Sequence, residues 1–353
     1  MSVYKEFSIE PPSSPESGDV ITNVKDIVSS GMWASGAGSL SAYYTSSTQS
    51  GSNAAHYLDV YAADPASDST AKPQFSVAYG HFNGSGSAGE KGIDGTRASA
   101  AIYRQLSQTL LGPNEDQFTF AGTGAHIKPA YIYALSISRQ QLREKMDPGN
   151  WELHVSASGV LFGLPGTFKM IDDSGATANA NVNQGGRVFN IVSGSITAGV
   201  GDIDTTAAAQ PGGGLGLFYP DLGIIIFNGE VLNTSASFLA QSGSNVNGAN
   251  NDIFYDRIKV AGKFQSRREE VITSQHYFCR VPNKEFNFSS NPTFTSGSDG
   301  SFTNATFFKN PKTFITQVGL YNDNNELLAI AKLSKPLLKS YSREAIIKVK
   351  LDF

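Results

Sequence analysis

The residues in this chain that could do chemistry are few and widely spaced. Its five histidines (His56, His81, His126, His154 and His276) form no i,i+4 pair and no H-E-x-x-H. A zinc or two-histidine iron site would have to be assembled from distant parts of the fold. Cys279 is the only cysteine, which excludes an intramolecular disulfide and a cysteine metal site; in the run Tyr277-Phe278-Cys279 it reads as a small core residue. Asp172-Asp173 and the pair Asp202 and Asp204 have the side chains that hold calcium or serve as acid and base in glycoside cleavage. Both lie in glycine-rich polar stretches lacking the rest of a calcium-loop pattern, so solvated turns are the stronger reading. No G-x-S-x-G occurs between a strand and a helix, as a serine nucleophile would need. Gly84-Ser-Gly-Ser-Ala-Gly89 matches G-x-G-x-x-G literally. In a dinucleotide site, however, the first glycine ends the strand and the last opens the helix. Here four residues separate Tyr79 from Gly84, six separate Gly89 from Thr96, and Glu90 places an anion where phosphate would sit. The stretch reads as a long loop. No catalytic, cofactor-binding or metal-ligating residue is assigned, no cofactor is implied, and the chain reads as a non-enzyme.

Residues suited to protein contact are more plentiful. Arg267-Arg268-Glu269-Glu270 mixes signs within four positions, which suits either a salt-bridged surface or the polar rim of a subunit interface. Phe286, Phe288, Phe294, Phe302, Phe307 and Phe308 stand in the Ser/Asn/Thr-rich segment 283–312, a context that cannot bury them locally. They either fold back on the body or insert into neighbouring chains, and insertion is favoured. With Phe353, the expected interface set is Arg267, Arg268, Phe286, Phe288, Phe294 and Phe353.

The elements that would carry these residues are mostly strands. Phe314 to Tyr321 and Glu326 to Leu333 are apolar runs separated by Asn322-Asp-Asn-Asn325, residues that tolerate left-handed backbone and bond their own main chain, hence a hairpin. From Ala345 the pattern alternates, with Ile347, Val349, Leu351 and Phe353 on one side and Lys348, Lys350 and Asp352 on the other. That is a half-buried strand, and its apolar last residue predicts docking. Residues 8–19, with three prolines, read as an extended arm. A short helix is predicted from Val20, capped by Asp19, with Val24, Ile27 and Val28 on one face and Gly31 as its stop. Strands follow at Tyr57–Tyr61 and Gln74–Tyr79, then a helix capped by Thr96 with Ile102, Leu106 and Leu110 at four-residue spacing, ended by Gly112-Pro113. Further strands are predicted at Gln117–Phe120, Tyr131–Ile137 and Trp151–Val155. Ser138-Arg-Gln-Gln141 reads as a capping box opening a helix that Asp147-Pro-Gly149 closes. From Asp172 to Gly216 Gly, Ala, Asn, Ser and Thr dominate, leaving open a mobile loop or a meander of short strands. Arg187–Val192, Gly216–Pro220 and Leu222–Phe227 are the strand-like runs there and beyond, and a polar gap from Gln241 to Asn251 precedes Ile253–Val260.

The predicted fold class is α+β and β-dominated, with mostly antiparallel sheets, a few short helices and long Gly/Ser-rich loops and arms. Four parts are expected: an arm over 1–54, an α+β domain over 55–156, a Gly/Asn-rich β insertion over 157–252, and a C-terminal β domain over 253–353. The totals agree: 353 residues, 36 of them glycine, and 16% charged, too few charges for a coiled coil or helical bundle. Net charge is −4, which gives no electrostatic reason to expect nucleic acid or an acidic membrane as partner. The sign is uneven, with acidic residues in excess before Arg257 and basic ones after it, as ordinary solvated faces or as an acidic front meeting a basic back. The first residues show no signal-peptide pattern and no apolar run approaches the ~18 residues of a membrane helix, so synthesis in a cytoplasm is expected.

Several phrases resemble a known family. They are Phe75-Ser-Val-Ala-Tyr-Gly-His-Phe-Asn-Gly-Ser-Gly-Ser87, Tyr131-Ile-Tyr133, Met146-Asp-Pro-Gly-Asn-Trp151 and Leu217-Phe-Tyr-Pro-Asp-Leu-Gly-Ile224. To these are added Tyr277-Phe-Cys-Arg-Val-Pro-Asn-Lys-Glu-Phe-Asn-Phe288, Asn291-Pro-Thr-Phe294 and Val318-Gly-Leu-Tyr-Asn-Asp-Asn-Asn-Glu-Leu-Leu-Ala329. Together they resemble baseplate wedge and related tail structural proteins of contractile-tailed phages, especially the cyanophage group, over most of residues 70–353. The resemblance implies a rigid virion subunit without catalytic motif, held among other baseplate or tail proteins in a homo- or hetero-oligomeric ring by arms and added strands. It implies neither a nucleic-acid nor a membrane partner. Neck, tube-proximal ring, fibre attachment and a glycan-binding or glycan-cleaving tail role remain the alternatives.

Overall fold

The computed structural model describes Phe7 and residues 20–46, 56–85, 97–122, 126–161, 164–176, 181–204, 214–236, 238, 248–288 and 292–353. In chain order the elements are β1 (Val20–Gly31), β2 (Ser39–Leu40), β3 (Leu58–Tyr61), β4 (Pro73–His81), α1 (Ala98–Leu110), β5 (Tyr131–Ile137), α2 (Arg139–Leu142), β6 (Lys145–Leu161) and β7 (Leu164–Asp172). They continue with β8 (Asn181–Asn183), β9 (Gly186–Thr197), β10 (Val200–Ile203), β11 (Gly216–Tyr219), β12 (Ile224–Asn228), α3 (Gly229–Ala236), α4 (Ala249–Ala261) and β13 (Phe264–Val281). The last are β14 (Thr295–Ser296), β15 (Ser301–Phe302), α5 (Thr306–Lys309), β16 (Lys312–Tyr321), β17 (Leu327–Ser340) and β18 (Ala345–Asp352). The fold is α+β, β-dominated and built on antiparallel pairing. The chain forms two compact units, one of residues 28–270 and one of residues 1–27 with 271–353.

The unit of residues 28–270 is a broad sheet in the order β13–β6–β7–β9–β11–β12–β5–β4–β3, to which the first part of β13 contributes. Alternation explains its two cores. On β4, Phe75, Val77 and Tyr79 face one side and join Tyr133, Leu135, Phe227 and residues of α3 and α4 such as Leu232, Phe254 and Ile258. The opposite side of β5 and β12, through Ile132, Ala134 and Ile226, packs on Tyr103 and Leu110 of α1. With both faces covered, β5 reads as a continuous apolar run rather than an alternating one. Gly229 makes the tight β12–α3 junction possible, because a Cβ there would stand 2.3 Å from the Tyr131 ring.

Several expectations change here. The predicted helix from Val20 is instead the twelve-residue strand β1. Val20, Val24 and Val28 recur every four positions, a spacing that one helix face and one strand face share, and the β-branched content favours the strand. Gln117–Phe120 is no ladder strand, although Phe118 and Phe120 are buried and the Phe120 N–H donates to the Ile127 carbonyl at 2.9 Å. Ser138 does precede α2, but its hydroxyl makes no capping bond, and the helix ends at Arg143, whose φ is positive (56°). Asp147-Pro-Gly149 closes no helix; it is a bulge inside β6, where pairing shifts between Ser266 opposite Trp151 and Arg268 opposite Met146. Cys279 is half-exposed on β13 rather than in the core. The described part of 172–216 is a meander, with β8 and β10 both paired to β9. Thr96, the arm over 8–19 and most of Gly84–Gly89 lie outside the described residues.

In the unit of residues 1–27 and 271–353, the second part of β13 pairs with β18 from Ser274 opposite Asp352 to Val281 opposite Ala345. β16 and β17 form a separate two-stranded sheet, and β14 and β15 a minimal one. β18 alternates as its sequence predicts, with Val349 buried and Lys348 and Lys350 exposed. Val349 is the only buried hydrophobic residue of this unit among those described.

Candidate interaction surface

The β16–β17 hairpin is built by local chemistry. The Asn322 side chain accepts from the N–H groups of Asn324 (3.1 Å) and Glu326 (2.8 Å), and Asn325 supplies the left-handed residue (φ 60°). Beyond the turn, Leu320 pairs with Ala329, Gly319 with Ile330 and Val318 with Ala331. One face carries Val318, Leu320, Ala329 and Ala331. The other carries Tyr321, whose ring covers Gly319, together with Leu327 and Ile330. A Cβ on Gly319 would stand 2.9 Å from that ring, so glycine is what admits it. Phe314, Tyr321, Leu327, Leu328 and Ile330 are all exposed. Two strands alone hide little apolar surface, and isolated hairpins are at best marginally stable in water. This one therefore presents unburied apolar side chains on a preformed backbone template.

Beside it in sequence lies a knot of phenylalanines. Phe294 is its centre, with ring centroids of Phe307 at 4.4 Å, Phe288 at 5.0 Å and Phe302 at 5.5 Å, all edge-on. Local association was not expected of so polar a segment; the β14–β15 turn, with Gly297 and Gly300 both at positive φ, brings the rings together. Association is not burial, since Phe288 and Phe302 remain exposed, as do Phe286 and Phe308 outside the knot. Phe286 sits in left-handed backbone (φ 52°), which is rare for a bulky residue and turns the chain so that its ring is presented outward. Lys339 secures this turn. Its ammonium, fully buried, donates to the Asn283 carbonyl at 3.0 Å and to Asn287 Oδ1 at 2.8 Å, and Thr313 Oγ1 donates to the Phe286 carbonyl at 2.8 Å. Burial pulls the Lys339 pKa down, against Glu285 and Glu344, which pull it up. Lys339 gave no sign in the sequence because its partners are fifty residues away.

At the end of the unit, the Phe353 N–H donates to the Thr273 carbonyl at 3.0 Å while its ring stays exposed. Ser274 Oγ donates to Asp352 Oδ1 at 2.6 Å, which with Lys350 holds the Asp352 carboxyl below its usual range. Phe286, Phe288, Phe294 and Phe353 thus all belong to this unit. Arg267 and Arg268 belong to the other, where they serve the chain's own fold. Arg267 Nε donates to Ser29 Oγ at 2.8 Å; Arg268, nearly buried, donates to Ser30 Oγ at 2.9 Å and pairs with Glu270 at 3.2 Å. Glu269 pairs with Lys145 at 3.1 Å, so the run is a salt-bridged element within the chain.

The groups weighed for catalysis are likewise engaged structurally. Asp172 is buried rather than a solvated turn: it accepts from the N–H of Gly149 at 2.8 Å and of Ser174 at 2.9 Å, and burial raises its pKa. Asp173 accepts from Asn190 N–H and Nδ2, each at 2.9 Å. Asp202 pairs opposite Ser195 and Asp172 opposite Ile191, which separates them by about 13 Å along β9, so they do not form an acid–base couple. Glu152, buried beneath the β9–β10 turn, accepts from His154, from Lys263 Nζ at 2.8 Å and from the Ile196 N–H at 2.8 Å. Burial pushes its carboxyl up, and those donors together outweigh it and bring the pKa to about 2. Glu230 accepts from the Ala130 N–H at 2.8 Å and bonds His126 Nδ1 at 2.8 Å, while His81 stacks on Tyr131. Among the described residues no group of three His, Cys, Asp or Glu is placed to hold a metal ion, and no helix is long and apolar enough to cross a membrane. Comparison with protein-family models, curated proteins and solved structures yields no match.

Proposed function

We propose that this chain is a structural subunit of a contractile phage tail baseplate, of the wedge type, held among other virion proteins through its C-terminal strands and aromatic turns. The observation that carries the reading is the unburied apolar surface of β16–β17, with Phe286 and Phe288 presented beside it in sequence. Such surfaces on a soluble chain call for partners. Backbone pairing at a strand edge, with pockets for alternate side chains, supplies affinity without a deep cleft. The sequence phrases that resemble baseplate proteins choose the kind of partner, and repeated copies in a ring would add avidity. In this reading the chain catalyses nothing, binds no cofactor and resides in the tail.

Doubly substituted Phe286→Ala/Phe288→Ala protein tests it. The purified variant should keep the wild-type far-UV spectrum and melting temperature within about 2 °C, since both rings are exposed. Tails assembled with it should lack the chain. Normal incorporation, or unfolding of the free variant, would overturn the proposal.

A further inference from the structure

Strand β1 lies at the edge of its sheet. It pairs with β13 on one side, and among the described residues no strand lies on its other side. A twelve-residue edge of this kind offers a row of unpaired N–H and carbonyl groups, which natural proteins usually shorten, bulge or charge. β1 is long rather than short; along Val20–Val28 its charges are Lys25 and Asp26, one of each sign, and Val20, Val24, Ile27 and Val28 are exposed.

The sequence of this edge is self-complementary in one register. Two copies joined edge to edge in a continuous antiparallel sheet are related by a two-fold axis perpendicular to the sheet, so one residue must face its own copy. Centring on Lys25 sets lysine against lysine, and centring on Asp26 sets aspartate against aspartate, both unfavourable. Centring on Val24 sets Val24 against Val24, Val20 against Val28 and Thr22 against Asp26 on one face. On the other face it sets Ile21 against Ile27 and Asn23 against Lys25. Every apolar residue then meets an apolar one and no like charges meet.

We infer that β1 is a homodimer interface, pairing antiparallel with β1 of a second copy of this chain about Val24. The inference stands on β1 alone and does not depend on the tail assignment.

The full chain tests it, in a Cys279→Ser background so that an introduced thiol is the only one. Val24→Cys should cross-link into a disulfide dimer under mild oxidation, because directly opposed residues lie about 4.5–5.5 Å apart at Cα, within disulfide reach. Lys25→Cys should not, since its own copy is displaced diagonally. Without cross-linking, sedimentation should give twice the 37.6 kDa chain mass, and Val24→Lys should return the protein to monomer with an unchanged far-UV spectrum. A wild-type chain that stays monomeric, cross-linking at position 25 instead of 24, or a dimer indifferent to Val24→Lys would each overturn it. If Val24→Lys misfolds, the two cysteine variants decide alone.

Discussion

Residues 28–270 and the unit of residues 1–27 and 271–353 are both β-rich, and they treat apolar side chains in opposite ways. The first hides them: Trp33, Trp151, Tyr103, Tyr133, Phe218 and Phe254 are all fully buried on the two faces of one sheet. The second displays them: most of the exposed large hydrophobics belong to it although it is less than half the length of the other, and Val349 is its one buried hydrophobic among the described residues. The difference is one of layers. A sheet with helices on both faces completes its own core. Among the described residues β16 and β17 form a sheet of two strands only, which leaves apolar side chains on it exposed. Stability of the chain should therefore reside in one unit and association in the other.

The largest contrast should come from paired truncations. Trp151→Ala removes a fully buried ring packed 5.2 Å from Phe218 and should cost about 3–5 kcal/mol in denaturant unfolding. Acid should come next. The folded pKa of Glu152, about 2, lies below its usual 4.5, so its contribution is present above pH 4.5 and is lost as pH falls from there toward 2. That loss should be on the order of 3 kcal/mol, and Glu152→Gln should flatten this part of the stability–pH curve. In the other unit, Lys339→Met should speed amide exchange of 283–288 roughly fivefold while leaving the global unfolding free energy nearly unchanged. Smallest of all, Phe308→Ala, at an exposed ring, should shift stability by less than about 0.5 kcal/mol. A large effect at Phe308, or a negligible one at Trp151, would erase the contrast.

What could be read from the sequence followed from how local the controlling chemistry is. The Asn322–Asn325 turn and the alternation of β18 are set by neighbouring residues, and both are found where the pattern puts them. The same holds for β5, whose bounds match its apolar run. The misreadings share the opposite property. β1 is spaced ambiguously between helix and strand, and only pairing with β13, more than two hundred residues on, decides it. The Asp147-Pro-Gly149 bulge is fixed by Asp172, which receives the Gly149 N–H and is thereby buried instead of solvated. Of the residues expected at an interface, the exposure of Phe286, Phe288 and Phe353 follows from the aromatic content of polar segments. The engagement of Arg268 and the staple by Lys339 depend on partners far away in the chain.

A reconstruction at side-chain resolution of the tail in which this chain is proposed to sit would examine the hairpin β16–β17 in place. The expected result is Tyr321, Leu327 and Ile330 covered by neighbouring chains, with Phe286 and Phe288 seated in a partner's pocket. A tail in which this chain is present and the hairpin faces only solvent would contradict the assignment of association to that unit.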